Sequence, residues 1–414
     1  MPSLALSELI GAPVYDPSGT TPVGKVREVA VVPQEDPHRV AAFVVKTRHG
    51  ERLLSMKAVN EVNGGVRADS LADGWTPYGG GEGMLLLERD LLDQQIIDVY
   101  GRKVVRVNDV DIHEEISDRH VTLKLSAVDV GARGAIRRLL KGVVPTSALR
   151  TMMDKIPPRM IPWEFVDLIE TDAARRVKLK IALDRLSRLH PADIADIVEE
   201  LAPAEREAVF ETLNEEVAAQ TLEEMDPKLQ VSVLSSLDSD RAADIVEEMD
   251  PDAAADVLGD MPPDATEEIL TEMAPEERAE VAELMTFEED TAAGRMTTEY
   301  MALKSSAKVA DAIDMLRKFE GGLESVSTIY IIGEREKLLG HVPLAKVVLA
   351  TPETPLMLLS SRHMPTIHPG ADEKEVAALF DKYNLLTLPV IDDEGILTGV
   401  ITADDVINML RAKL

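Results

Sequence analysis

From Pro191 to Met285 the chain repeats itself every twelve residues, and that period limits what it can fold into. Proline or a substitute stands at Pro191, Pro203, Glu215, Pro227, Ser239, Pro251, Pro263 and Pro275. Ten residues after each comes Leu201, Leu213, Met225, Leu237, Met249, Met261, Met273 or Met285. A fixed period of this kind means stacked copies of one small unit. Proline is tolerated at the first helical position, and Asp226 and Asp250, just before Pro227 and Pro251, are good N-cap residues. Ala254, Ala255, Val257, Leu258 and Met261 fall on one stripe of a short helix. So short a helix is unstable alone and must stack on its neighbours. The spacing therefore predicts an α-solenoid of about eight to ten short helices.

The opposite face is acidic. Residues 191–290 hold 32 Asp and Glu against 4 Lys and Arg, in a chain whose net charge is −31. One reading is a solvated face that keeps the protein in solution. The other is a surface whose self-repulsion is relieved by cations. A pI near 4.6 argues against nucleic acid as a partner, because that affinity comes from neutralising phosphates. The absence of cysteine excludes disulfides, thiolate metal sites and cysteine nucleophiles. The longest apolar run, Val40 to Val45, is far short of the roughly 18–20 residues of a membrane helix. MPSLALSELIG lacks a basic segment leading into an apolar one, so neither a secretory signal nor a transmembrane segment is expected. At 414 residues, several domains are expected.

The N-terminal part has β character. Val23, Val26, Val29, Val31 and Val32 follow a turn at Gly19, Val40 to Lys46 is a second apolar run, and His49-Gly50 reads as a hairpin tip. The glycine-rich stretch from Tyr78 to Gly83 has no lysine or Ser/Thr helix start of the phosphate-binding kind, and reads as a linker. The pattern then recurs: Val14-Tyr15-Asp16 with Gly19 has its counterpart in Ile97-Asp98-Val99-Tyr100-Gly101 and the strand that follows. These two copies resemble small PRC-barrel domains, expected at residues 1–82 and 83–141. The resemblance implies an adaptor role.

A basic connector is expected at 142–185. Arg133, Arg137, Arg138, Lys141, Arg150, Lys155, Arg159, Arg175, Arg176, Lys178 and Lys180 cluster around it, with Pro157-Pro158 and Trp163 as tether features. It reads as a counterweight docked on the acidic solenoid, with an anionic-lipid surface as the sharper alternative.

After the solenoid, Phe287-Glu288-Glu289-Asp290-Thr291-Ala292-Ala293-Gly294-Arg295-Met296-Thr297-Thr298-Glu299-Tyr300 resembles the junction of the MgtE magnesium-channel family, between its acidic helical N domain and a pair of CBS domains. Ala293 stands where that family usually has glycine. The tail repeats a β-α-β-β-α order. Val309–Phe319, Ser327–Ile332 and Leu339–Val342 are followed by Lys374–Tyr383, Thr387–Asp392, Gly399–Thr402 and Asp404–Arg411. The expected divisions are a solenoid at 186–295 and CBS domains at 296–354 and 355–414. The fold class is thus multidomain α+β: PRC-like small β-barrels, an α-solenoid and an α/β CBS pair.

Mg²⁺ is a hard cation that takes oxygen ligands and keeps several waters. Asp252 and Asp256 stand four apart, on one face of a helix. The resemblance assigns metal contacts to Asp252 and Asp256 and to the CBS-side Asp372 and Asp405. It implies that Mg²⁺ bridges the solenoid and the CBS pair, which swing apart without it. Lys374 and Asn384 replace acidic family positions, which implies fewer metal sites. Mn²⁺ accepts the same ligands. Gly399, Thr402 and Asp405 keep a nucleotide-binding turn of CBS domains, so ATP or AMP is the alternative ligand. The corresponding turn in the first half, from Gly340 to Lys346, has lost the Thr and Asp. The eight histidines show no metal-binding spacing, His190 reads as a cap, and no catalytic constellation appears; an enzyme is not expected.

The sequence therefore predicts a cytoplasmic Mg²⁺-sensing regulator of magnesium transport, dimeric through its CBS domains. It would signal to a separate membrane transporter and could sit peripherally at the inner face of the membrane. The alternative is an adenine-nucleotide-sensing CBS adaptor whose acidic solenoid only binds protein.

Overall fold

A computed structural model describes residues 3–81, 83–117, 120–140, 157–168, 185–288, 290–319, 326–361 and 363–411. Lys141, Arg150, Lys155, Arg175, Arg176, Lys178 and Lys180 of the expected connector, and Glu289 of the junction, lie outside the described residues. The chain divides into two compact units, Met1–Val217 and Ala218–Leu414.

The first unit is rich in strands: β1 (Ser3–Ala5), β2 (Pro13–Tyr15), β3 (Gly24–Val31), β4 (Val40–Thr47), β5 (Gly50–Ser55), β6 (Val59–Glu61), β7 (Val66–Ala68), β8 (Thr76–Pro77), β9 (Leu85–Leu86), β10 (Gln95–Asp98), β11 (Lys103–Arg106), β12 (Asp109–Ser117), β13 (His120–Asp129), β14 (Met160–Pro162) and β15 (Val166–Leu168). Short helices α1 (Leu6–Leu9) and α2 (Leu87–Asp90) and the longer α3 (Ala132–Leu140) lie among them. One sheet runs β6-β7-β2-β3-β4-β5-β8, with β9 added on β3. The others run β1-β12-β13-β14 and β11-β10-β15. No closed barrel is found among the described residues; the strand-rich region is built from these three sheets. Gly24 is required where β3 meets β4, because a Cβ there would lie 2.6 Å from the Lys46 carbonyl oxygen.

The two sequence copies exchange their leading segments. β1 pairs with β12 of the later copy, while β9 pairs with β3 of the earlier one. The helix caps are exchanged too. Asp109 accepts hydrogen bonds from the Ser7 amide at 3.0 Å and the Ser7 hydroxyl at 2.6 Å, at the start of α1. Glu28 accepts from the Glu88 and Arg89 amides at 2.7 and 3.0 Å, at the start of α2. One apolar core, from Leu6 to Val166, spans both copies and the division expected at 82/83. Trp163 is buried, and its indole donates to the Pro37 carbonyl at 3.1 Å.

The repeats form eight short helices: α4 (Pro191–Glu199), α5 (Pro203–Phe210), α6 (Glu215–Glu223), α7 (Pro227–Leu234), α8 (Ser239–Glu247), α9 (Pro251–Asp260), α10 (Pro263–Glu272) and α11 (Pro275–Leu284). His190 caps α4, its Nδ1 accepting from the Ala192 amide at 3.3 Å. Within the second unit, α8 packs on α10, and α9 on both α7 and α11. The main packing is thus between alternate repeats rather than consecutive ones. Of the periodic positions, Leu201, Leu213, Met225, Met249, Met261 and Met273 are buried, as the stripe requires.

The tail is a CBS pair. Its first half has β16 (Met301–Lys304), α12 (Val309–Leu316), β17 (Thr328–Ile332), β18 (Leu338–Pro343), α13 (Leu344–Leu349) and α14 (Leu356–Leu359). Its second half has α15 (Glu373–Tyr383), β19 (Thr387–Ile391), β20 (Leu397–Thr402) and α16 (Ala403–Arg411). β16 lies parallel to β17, and β17 antiparallel to β18. In the second half the parallel partner shrinks to a single bridge, Ile367 to Val390.

Candidate functional site

Carboxylates from the solenoid and the CBS pair gather inside the second unit. Asp252 sits in the first turn of α9, just after the Pro251 that opens the helix. Its Oδ1 is buried and has no hydrogen-bond partner. Burial, then the nearby charges of Asp405 and Asp250, pushes its pKa well above the usual carboxylate range. Asp405 lies in the first turn of α16, and burial raises it to about 6. Its Oδ2 accepts from the Thr402 amide at 2.7 Å and the Thr402 hydroxyl at 2.6 Å, which opposes the rise.

Three further acids belong to this cluster, and the sequence reading did not select them as ligands. Asp250 precedes Pro251 but makes no side-chain cap bond. Its amide instead donates to Glu223 Oε1 at 2.8 Å, and burial followed by repulsion from Asp404 raises its carboxyl. Glu223, at the end of α6, is pushed up to about 8 by burial and then by Asp250. Glu299, in the junction, rises to about 7 through burial, Asp250 and Glu280. The one signal available was the surplus of acid over base in the repeats, which does not say which acids converge.

The other expected ligands go elsewhere. Asp256 forms an ion pair with Arg295 at 2.8 Å. Asp372 caps α15, accepting from the Glu375 amide at 2.9 Å. Gly399 lies under Met296: a Cβ there would stand 2.5 Å from the Met296 sulfur and 3.0 Å from the Thr297 carbonyl oxygen. Its glycine identity is therefore explained by packing.

Among the described residues, no three acidic or histidine side chains converge closely enough to hold an ion directly. The donor set is nevertheless all oxygen, mutually repelling, and includes one buried oxygen without a donor. These residues fit a hard cation that keeps its own waters, rather than a dry cage. Cation charge would return the raised carboxyls toward their ionised form.

Residues 189–290 match the MgtE intracellular N domain, and residues 358–412 match the CBS domain. Both are non-catalytic kinds of domain. The magnesium transporter MgtE of Thermus thermophilus is 34% identical over 127 residues, 31% of this chain and 28% of that protein. The chain thus spans under a third of the length of the curated relatives it matches. A solved structure of the cytosolic domain of the Mg²⁺ channel MgtE in complex with ATP is 30% identical, with a TM-score of 0.53, covering 57% of this chain and 95% of that one. The soluble part of a magnesium transporter, at 22% identity and a TM-score of 0.54, shares the fold over 59% of this chain and 94% of its own. No helix among the described residues is long and apolar enough to cross a membrane. A cytoplasmic location fits these matches. The chain carries an MgtE intracellular N domain and a CBS domain, and over that part it is homologous to the cytosolic domain of MgtE.

Proposed function

We propose that this chain is a Mg²⁺-responsive regulator of divalent-metal transport, in which the solenoid and the CBS pair are drawn together by a hydrated cation. The observation that carries the reading is the buried, donorless Oδ1 of Asp252 beside Asp405. Asp252 and Asp405 would hold the ion's shell, with Asp250 and Glu223 contributing field. Bound Mg²⁺ would supply positive charge and water donors that no described side chain brings to Asp252 Oδ1. Without the ion, these carboxylates must take up protons or separate.

The reading includes dimerisation through the CBS pair, where Val348, Leu349, Leu358, Ile407 and Leu410 are exposed, and signalling to a membrane transporter in trans. The test is small-angle scattering of the full chain titrated with Mg²⁺ at constant ionic strength. Saturable shrinkage beyond a monovalent-salt control is expected, and a flat profile would sink the proposal. Mn²⁺ in the same titration asks which ion is preferred.

A second reading is an adenine-nucleotide sensor. It is favoured by Thr402 and Asp405 standing together at the β20–α16 turn and by similarity to the domain solved with ATP. ATP or AMP binding that is lost on Thr402→Ala, with no Mg²⁺ response, would select it.

A further inference from the structure

Arg295 is a cation that follows a strongly anionic stretch. Residues 191–290, just before it, hold 4 Lys and Arg against 32 Asp and Glu. It ends the short 3₁₀ turn Ala293–Arg295 that leads from the solenoid into the CBS pair. The turn is held to the second CBS half through its backbone: the Ala292 amide donates to the Ala371 carbonyl at 2.8 Å, and the Ala293 amide to the Pro369 carbonyl at 2.9 Å. Its guanidinium divides between two elements. One terminal nitrogen pairs with Asp256 Oδ2 on α9 at 2.8 Å, and Nε pairs with Glu373 Oε1 on α15 at 3.2 Å. The Glu373 side chain is only 8% exposed, so its charge needs a partner. A planar fork with fixed donors suits two carboxylates approaching from different directions, and it cannot lose its proton.

We propose that Arg295 is a built-in counter-cation, a positioning residue that joins the solenoid to the second CBS half in the absence of any metal ion. It takes Asp256 out of the set open to a divalent cation and leaves the metal response to Asp252 and Asp405. This deepens the Mg²⁺ reading above and rests on it for the division of labour. The joining role of Arg295 stands on the two ion pairs alone. The consequence is a device with a partly closed resting state, in which Mg²⁺ tightens a contact that already exists.

The chain has no cysteine, so two can be introduced for specific labelling at exposed Glu268 on α10 and Asp381 on α15. Spin-label distances would be measured on the full chain in chelator, then with Mg²⁺, for the parent and for Arg295→Leu and Arg295→Lys. The expected result in chelator is a dominant short distance in the parent. Arg295→Leu should lose that population by about tenfold relative to the open one, the size of effect expected for removing one shared charge-assisted contact. Arg295→Lys should recover part of it. Saturating Mg²⁺, but not matched monovalent salt, should restore the short distance in Arg295→Leu.

Identical distances for the parent and Arg295→Leu in chelator would overturn the inference. So would a parent that is fully open in chelator and closes only with Mg²⁺, an outcome that leaves the sensing reading intact. Opening of Arg295→Leu with no Mg²⁺ response in either protein would retain Arg295 as the joining cation and remove the sensing reading. If Arg295→Leu fails to fold, Arg295→Gln, which keeps donors without charge, is measured instead with the same two outcomes.

Discussion

Asp405 is tied to Thr402 twice, by the threonine amide at 2.7 Å and its hydroxyl at 2.6 Å, while Asp252, whose buried Oδ1 has no donor, is pushed well above the usual carboxylate range by burial and by the nearby Asp405. The two aspartates come from α9 and α16, so the solenoid and the CBS pair each bring one half of an uncompensated pair. The pH and cation responses expected of the second unit follow from this.

Asp252→Asn should raise the melting temperature in chelator. Replacing a buried carboxyl, which without the ion must either take up a proton or bear an unsolvated charge beside Asp405, by a neutral amide is worth on the order of 1–3 kcal/mol. The same variant should lose the stabilisation that Mg²⁺ gives the parent. Calorimetry with and without Mg²⁺ checks both effects, and a variant still stabilised by Mg²⁺ would remove Asp252 from the site.

Stability in chelator should fall as pH rises from about 5 to above 8. Glu223, Glu299 and Asp405 have folded pKa values raised to about 8, 7 and 6, so the folded state binds more protons than the unfolded one in this window. The stability is fully present below the unfolded carboxylate pKa and is lost as pH passes through the folded values. Glu223→Gln should flatten the slope most near pH 8. Thermal melts from pH 5.5 to 8.5 measure it, and a rising curve would contradict the burial of this cluster.

Thr402→Ala removes one of the two donors to a buried carboxylate and should destabilise the CBS pair by about 1.5–3 kcal/mol in the absence of any nucleotide. Urea midpoints read this directly. No change in stability would mean that the Thr402 hydroxyl serves only a ligand.

Glu28→Ala and Asp109→Ala should each destabilise the strand-rich region by about 2–4 kcal/mol, because each strips a helix start of acceptors supplied by the other sequence copy. Denaturant unfolding followed by Trp75 and Trp163 fluorescence should show one shared transition in both variants, since a single core spans the copies. Two separated transitions would mean that the copies fold independently.

Gly399→Ala should also destabilise, by about 1–3 kcal/mol, through collision with Met296 and the Thr297 backbone. The loss should be the same with or without ATP. A loss seen only in nucleotide binding would return Gly399 to the ligand-binding role the sequence assigned it.

The sequence by itself determined what is local and periodic. Twelve-residue spacing, proline starts and one apolar stripe per repeat specify short stacked helices, because helix period and capping are properties of neighbouring residues. The β-α-β-β-α order and the junction motif likewise identified the CBS pair. Only the tertiary structure decided which charges meet. Asp256 looked equivalent to Asp252 at helical spacing, yet one faces Arg295 and the other faces Asp405. Asp372 turned to its own helix, and Glu223 joined Asp250 from 27 residues away. The exchange of β1 and β9 between the two copies was equally hidden, since either copy could have kept its own strand. Burial and Coulomb repulsion depend on distances set by packing between elements, and spacing along the chain carries no record of them.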